Sequence, residues 1–139
     1  MDVRSEIEAR LGDIEKRSAY LREQQEGISK EREALFHEAA RLVMEAHPLL
    51  GQFSWRQFTP YFNDGDACYF RVDEEYEAET VEGKDLWELP EAVYEPVVED
   101  INSALGILDD DDCLRIFGDH SKVIVTRDGA GVYGYEGHD

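Results

Sequence analysis

The sequence predicts an α+β protein: a long N-terminal coiled-coil helix, then a small, mainly antiparallel sheet of two hairpins with one or two helices on one face. Three observations predict it. Apolar residues recur every seven positions from residue 7 to residue 42, two segments read as strand–turn–strand, and between those segments lies a ladder of apolar residues at helical spacing.

The heptad comes first along the chain. Ile7, Ile14, Leu21, Ile28, Leu35 and Leu42 occupy one seam position, d, and the partner position, a, holds Arg4, Leu11, Ser18, Gln25, Arg32 and Ala39. A sustained heptad keeps one stripe facing a partner helix, and polar a residues set register at some cost in stability. Ile7, Leu11, Ile14, Leu21, Ile28 and Leu35 are therefore the expected oligomerisation residues, in a homo-oligomer for which a dimer is preferred. Ser5 and Glu8 have capping-box spacing, with Asp2 a further source of cap oxygens. Gly27 costs a helix interior about 1 kcal/mol relative to Ala, yet one continuous helix is expected. Beyond Leu35 the stripe widens to Phe36, Ala39, Leu42, Val43 and Ala46, more than a two-stranded seam needs, so these last turns should pack on the body before the helix ends near His47–Pro48. This sets the expected division at residues 1–47 for the coiled-coil helix and 48–139 for the acidic α+β domain.

In that domain, residues 53–62 and 67–73 flank Asn63-Asp64-Gly65-Asp66 and read as a β-hairpin, with Pro60 marking the first strand as an edge or an interrupted one. Residues 73–88 are acidic and weakly patterned, a strand extension and a loop. Pro90 suits a helix start, and Val93, Val97, Ile101, Leu105 and Leu108 follow at helical spacing, although Pro96 pushes the true start towards residue 95. Asp109 to Asp112 then lead into a short helix ending at Gly118. The segment 122–127, the Asp128-Gly129 turn and the run Val132, Tyr133 and Tyr135 make the second hairpin, for four strands in all.

Composition bounds the function. The chain has 139 residues and a net charge of −19, with 42% hydrophobic and 11% aromatic residues, enough apolar content to fold in spite of its charge. Residues 1–47 hold eight Lys or Arg against eleven Asp or Glu, a net of −3, and residues 48–139 hold six against 22, a net of −16. Such a field repels nucleic-acid phosphate and anionic membranes and draws in basic proteins, so a basic protein partner is expected, with neither direct nucleic-acid nor membrane binding. The same acidity also serves plain solubility. The start of the chain lacks the apolar core of a signal peptide, and Cys68 and Cys113 form no paired framework, which points to a reducing cytoplasm.

No segment has the spacing of a strong catalytic, metal or nucleotide motif, and no cofactor is expected. Asn63, Asp64 and Asp66 offer oxygens to a hard cation but lack the rest of a calcium loop, so a hairpin turn is the plainer reading. Asp64, Asp66 and His120 remain weak metal candidates, and with Asp109 to Asp112 they define the alternative of a metal-dependent enzyme. That acidic run is equally what a helix N-terminus favours. Asp119-His120 with either thiol is a further catalytic pairing that sequence alone cannot assemble. The aromatic residues of the first hairpin exceed what one buried face needs, which makes Trp55 and Tyr61 candidates for a partner-binding patch. The charge-bearing candidates are Glu91, Glu95, Glu99, Asp100, Asp109, Asp110, Asp111 and Asp112, spaced to imitate nucleic-acid phosphates. Assembly through the coiled coil alone, as a scaffold component, is a third reading.

The stretch Trp55-Arg56-Gln57-Phe58-Thr59-Pro60-Tyr61-Phe62-Asn63-Asp64-Gly65-Asp66, with Phe117-Gly118-Asp119-His120 and Val125-Thr126-Arg127-Asp128-Gly129, resembles a family of small uncharacterised proteins encoded by bacteria and their tailed phages. The resemblance covers most of residues 53–139. It implies a microbial, intracellular setting, or the host cytoplasm for a phage protein, and carries over no catalytic residue.

Overall fold

The computed structural model describes residues 2–60 and 68–134. The chain divides into two compact units, Met1–Arg32 and Glu33–Asp139, with the boundary inside the first helix. That helix, α1, runs Val3–Ala46 and passes through Gly27 without a break. Its start is set by Asp2, whose carboxylate accepts the Arg4 amide at 3.3 Å; Ser5, expected as the cap, lies inside the helix. In the first unit the heptad residues Ile7, Leu11, Ile14, Leu21 and Ile28 are 46–65% exposed. Among the described residues no helix is long and apolar enough to cross a membrane.

The second unit is a mixed α+β layer. From the end of α1 the chain enters β1 (Leu50–Phe58), then β2 (Arg71–Val72), β3 (Glu77–Thr80), a short 3₁₀ turn (Leu86–Glu88), α2 (Glu91–Leu105), α3 (Asp110–Phe117), β4 (Ser121–Thr126) and β5 (Gly129–Gly134). Every strand pairing is antiparallel, in the order β2-β1-β4-β5, with β3 also on β1. Because β2 pairs with Gln57–Phe58 and β3 with Leu50–Ser54, both lie on the side of β1 away from β4. They act as one interrupted strand.

Several expectations are corrected by this layout. Among the described residues there are five strands instead of four, because residues 73–88 contain β3, whose Glu-Ala-Glu-Thr alternates exposed and buried with only Ala78 and Thr80 inward. The first strand begins at Leu50 and stops at Phe58, before Pro60, and it is the central strand instead of an edge. The second run contributes only Arg71–Val72; the turn at Asn63 to Asp66, along with Tyr61, Phe62 and Tyr135, lies outside the described residues. Helix α2 begins at Glu91 with Pro90 as its cap residue and keeps Pro96 inside it. Pro96 costs a hydrogen bond, and the burial of Val97, Ile101 and Ala104 downstream offsets the loss.

The core lies between one face of the sheet and three helical segments. Phe53, Trp55, Val123 and Val125 face inward from paired positions on β1 and β4, and Phe36 and Met44 from α1 meet Ile101 from α2 and Phe117 from α3. Phe36, Trp55 and Phe117 form an edge-on triad with ring centroids 5.5–6.1 Å apart, a geometry that aligns ring edges with π faces. At Gly51, where β1 carries an irregularity in its pairing with β3, a Cβ would come within 2.7 Å of the Thr80 carbonyl oxygen, so the close approach of the two strands needs glycine.

Two polar side chains fix the helices to the sheet. Gln57 is fully buried; its amide donates to the carbonyls of Cys113 at 2.9 Å and Gly118 at 2.7 Å and its oxygen accepts from the Trp55 indole at 3.0 Å. The two bonds to Cys113 and Gly118 tie α3 down on β1, and the third, from Trp55 on the same strand, holds the amide in the orientation they need. The second is Arg127, at the β4–β5 turn. It donates to the carbonyls of Leu50 at 2.6 Å, Pro48 at 3.0 Å, His47 at 3.2 Å and Met44 at 3.4 Å. These carbonyls are at the end of α1, a helix with no basic residue in its own last turn. A cation there satisfies unpaired carbonyls and the negative end of the helix dipole.

Replacing Arg127 by Ala should therefore cost roughly 2–3 kcal/mol, the range for charge-assisted hydrogen bonds, even though the His47 carbonyl keeps the Leu50 amide at 3.0 Å. Arg127→Lys should recover only part, because one ammonium cannot span carbonyls on both sides of the turn. Urea unfolding followed through tryptophan fluorescence, to which Trp55 and Trp87 both contribute, measures both. Gln57→Leu should cost about 1–3 kcal/mol by leaving the Trp55 indole and two carbonyls unpaired in the core. An unchanged midpoint would show that water replaces the lost amide.

Candidate acidic interaction surface

The acidic residues of the second unit fall into those the fold uses and those it leaves outward. Asp109 and Asp112 belong to the first group. Asp109 caps α3, accepting the Asp112 amide at 2.8 Å, while the Asp112 carboxylate accepts the Asp109 amide at 3.2 Å, a reciprocal capping box. Asp112 is 2% exposed, which removes it from the expected partner-binding set. Asp100 Oδ2 lies 2.6 Å from His47 Nε2 and accepts a hydrogen bond from the imidazole tautomer that is protonated there. Asp73 pairs with Arg56 at 3.0 Å.

Glu91, Glu95, Glu99, Asp110 and Asp111 are exposed. The first three are spaced by four residues on α2, so their side chains rise along one face about 6 Å apart. The opposite face of α2 is the buried Val97, Ile101 and Ala104. Trp55, a candidate surface anchor, is instead 3% exposed, in the aromatic triad. Its partner in that expectation, Tyr61, lies outside the described residues, as do Asp64 and Asp66.

Beside the start of α3 lies a cavity of about 350 Å³ with Phe36, Trp55, Leu105 and Cys113 at its apolar walls. Asp73, Glu74 and Asp110 stand at its rim and also line a more polar recess holding Arg56 and Arg71. Tyr76 lines the cavity too; its hydroxyl is buried without a hydrogen bond among the described residues, and burial raises its pKa. Burial, followed by the charges of Asp110, Asp112 and Asp109, pushes the Cys113 thiol up to about 12. A thiol so disposed stays protonated and is a poor nucleophile.

The Asp119-His120 pair is used structurally. Asp119 accepts the Thr59 amide and hydroxyl, each at 2.8 Å, and the His120 amide at 2.9 Å, and so holds the chain beyond β1 to the start of β4. Partial desolvation works to raise its pKa, but the Thr59 and His120 hydrogen bonds and the His120 charge outweigh it and the net shift is downward. The His120 ring lies 3.7 Å from the same carboxylate. Among the described residues no three His, Cys, Asp or Glu side chains converge as metal ligands would.

No family model matches the chain, and no curated protein or solved structure shows significant similarity to it. Sequence reasoning had no signal for the cavity, whose walls come from α1, β1, α2 and α3 and meet only in the fold. Nor could it separate the two carboxylates of the capping box from their exposed neighbours without the helix boundary.

Two measurements test this assignment. A thiol reagent at pH 8 should leave Cys113 unmodified in the folded protein and modify it only on unfolding, as mass mapping of the labelled peptide would show. Fast labelling of Cys113 in native buffer would contradict its buried, protonated state. A depressed carboxylate pKa contributes stability at pH above the unfolded value, and that contribution disappears as pH falls through the folded one. The stability gap between wild type and Asp119→Ala should accordingly be open at pH 7 and close below the ordinary value of 3.8.

Proposed function

We propose that this chain is a non-enzymatic, acidic interaction protein that self-associates through the coiled-coil segment of α1 and captures a basic protein with its second unit. The observation that carries the reading is the outward row Glu91, Glu95 and Glu99, with Asp110 and Asp111 at the start of α3. None of these five has a side-chain ion pair or hydrogen bond among the described residues. Residues 33–139 hold seven Lys or Arg against 25 Asp or Glu, a net of −18, whereas residues 1–32 hold seven against eight, a net of −1. A surface of one sign steers oppositely charged partners and repels phosphate. In its sharpest form the second unit imitates the charge of DNA and occupies the groove of a nucleic-acid-binding enzyme, in the microbial or phage-infected cytoplasm that the resemblance implies.

Affinity capture from the native host tests the reading, with wild type compared against a variant carrying E91K, E95K, E99K and D111K. Circular dichroism should show the variant folded, because all four sites are exposed and outside the capping box. The expected result is a basic protein retained by wild type, released as salt rises, and recovered at least tenfold less by the variant, since each buried or rim charge contact is worth about a factor of ten or less. Equal recovery by both proteins would sink the charge-mimic reading.

A further inference from the structure

The exposed stripe of the first unit has a charge pattern that selects one arrangement of two copies. We propose that the occupant of this stripe is a second copy of the chain, running antiparallel, with the core a and d residues of the two copies opposed where their numbers sum to 39. The proposal rests on the self-association named above and specifies its geometry.

Three features of the stripe select this arrangement. The stripe is open: Ile7, Leu11, Ile14, Leu21 and Ile28 are each about half exposed or more on a helix that passes through them without interruption. Leaving such a stripe in water is unfavourable, and a heptad buries it against another heptad.

Second, a parallel in-register pair places like charges together. At the a positions Arg4 meets Arg4 and Arg32 meets Arg32, and at the flanking g and e positions Arg17 meets Arg22 of the second copy. Only Arg10 with Glu15 is favourable there. In an antiparallel pair the a residues face d residues instead, and e faces e, g faces g. With the sum at 39, Leu11 packs on Ile28 of the second copy, Gln25 on Ile14 and Ser18 on Leu21. The flanks then bring Arg10 to Glu31 of the second copy and Glu15 to Arg22 of the second copy, each twice by symmetry, and no like charges meet.

Third, neighbouring antiparallel registers are worse. A slip of one heptad one way sets Glu15 on Glu15 and Arg17 on Arg17; a slip the other way keeps the attractions Arg10 to Glu38 and Arg17 to Glu31 but adds Arg22 on Arg22 and draws its pairing from residues of the second unit. Like-charge juxtaposition is what discriminates among coiled-coil registers. The surface fits the favoured one locally as well. Ile14, Ser18, Leu21 and Gln25 border a shallow groove, and its centre coincides with the dyad between residues 19 and 20. The small Ser18 leaves the notch that Leu21 of the second copy fills. Glu15 and Glu31 make no ion pair within the chain among the described residues, and the Arg22 guanidinium has the weak Ser18 hydroxyl at 3.3 Å, so those three are available to pair across the dyad. Arg10 already pairs with Glu6 at 3.0 Å and shares its charge between the two.

Charge exchange in the full chain, read as a dimer dissociation constant by sedimentation, tests the register. Glu15→Lys and Arg22→Glu should each weaken the dimer by roughly tenfold, because each turns two symmetric attractions into repulsions. Combining E15K with R22E should restore the constant to within about threefold of wild type. In a parallel dimer those two residues do not face each other; there E15K would be rescued by R10E instead, and that result would overturn the antiparallel register. A dimer in which neither combination recovers would also overturn it while leaving self-association standing. A wild-type chain that stays monomeric up to about 100 μM, where a Kd in the micromolar range would give a dimer, would overturn both.

Discussion

The arginine at the last hairpin turn is the constraint on which the second unit depends. A helix as long as α1 ends with carbonyls that no residue of its own last turn satisfies. Arg127 gathers those of Met44, His47 and Pro48, and the Leu50 carbonyl at the head of β1, around one guanidinium. The β4–β5 turn is thereby fixed to the point where helix becomes strand. This sets which residues of α1 lie over the sheet: Phe36, Ala40, Val43 and Met44 are buried, whereas Leu35 and Leu42, one position away, are about half exposed. The aromatic triad then follows, since Phe36 can meet Trp55 and Phe117 only when the helix stops where it does.

The remaining polar contacts in the core distribute the same task among elements that hydrophobic burial alone would leave free to slide. Apolar packing is non-directional, whereas Gln57 has two donors and an acceptor in fixed directions. Its two bonds to the Cys113 and Gly118 carbonyls fix the rotation of α3 against β1, its bond from Trp55 fixes the amide itself, and the Asp109–Asp112 box fixes where that helix begins. Asp119 does likewise for the chain beyond β1. The acidic excess is thus partly structural: carboxylates that cap or clamp are held by amide donors, and those left outward are the ones a partner can meet.

Much of this was legible in the sequence where the signal was periodic or chemically special. The heptad, the Val97–Ile101 ladder, the acidic start of α3 with Gly118 at its end, and the Asp128-Gly129 turn each declare themselves locally. Failures came where tertiary contact overrode local preference. Glu77 to Thr80 carries too little apolar content to look like a strand, yet the edge of β1 pairs it. Pro96 argued for a late helix start, but an unsatisfied carbonyl at a half-exposed first turn is tolerated when three residues downstream are buried. Trp55 looked like a surplus surface aromatic because the helix that covers it is remote in sequence. The acidic surface was legible as composition only; which carboxylates face outward depends on one capping box and one His47 contact that no spacing rule reveals.

The near neutrality of residues 1–32 is as informative as the charge of residues 33–139. Two copies of a strongly acidic surface repel at distances below the screening length of about 8 Å at physiological salt. Under the proposed function, self-association falls to the segment where both signs are interleaved, and there pattern replaces net charge as the deciding quantity. Interleaving also makes orientation selectable, because a stripe of uniform sign would repel in every register whereas this one repels in all but a few. The two surfaces must then respond differently to salt. Burial of the heptad stripe is weakly salt-dependent, while capture of a basic partner by outward carboxylates weakens as screening rises. On the proposed reading, ionic strength would release a partner from the acidic unit while leaving the helical association intact, and assembly and recognition would be separable in one short chain.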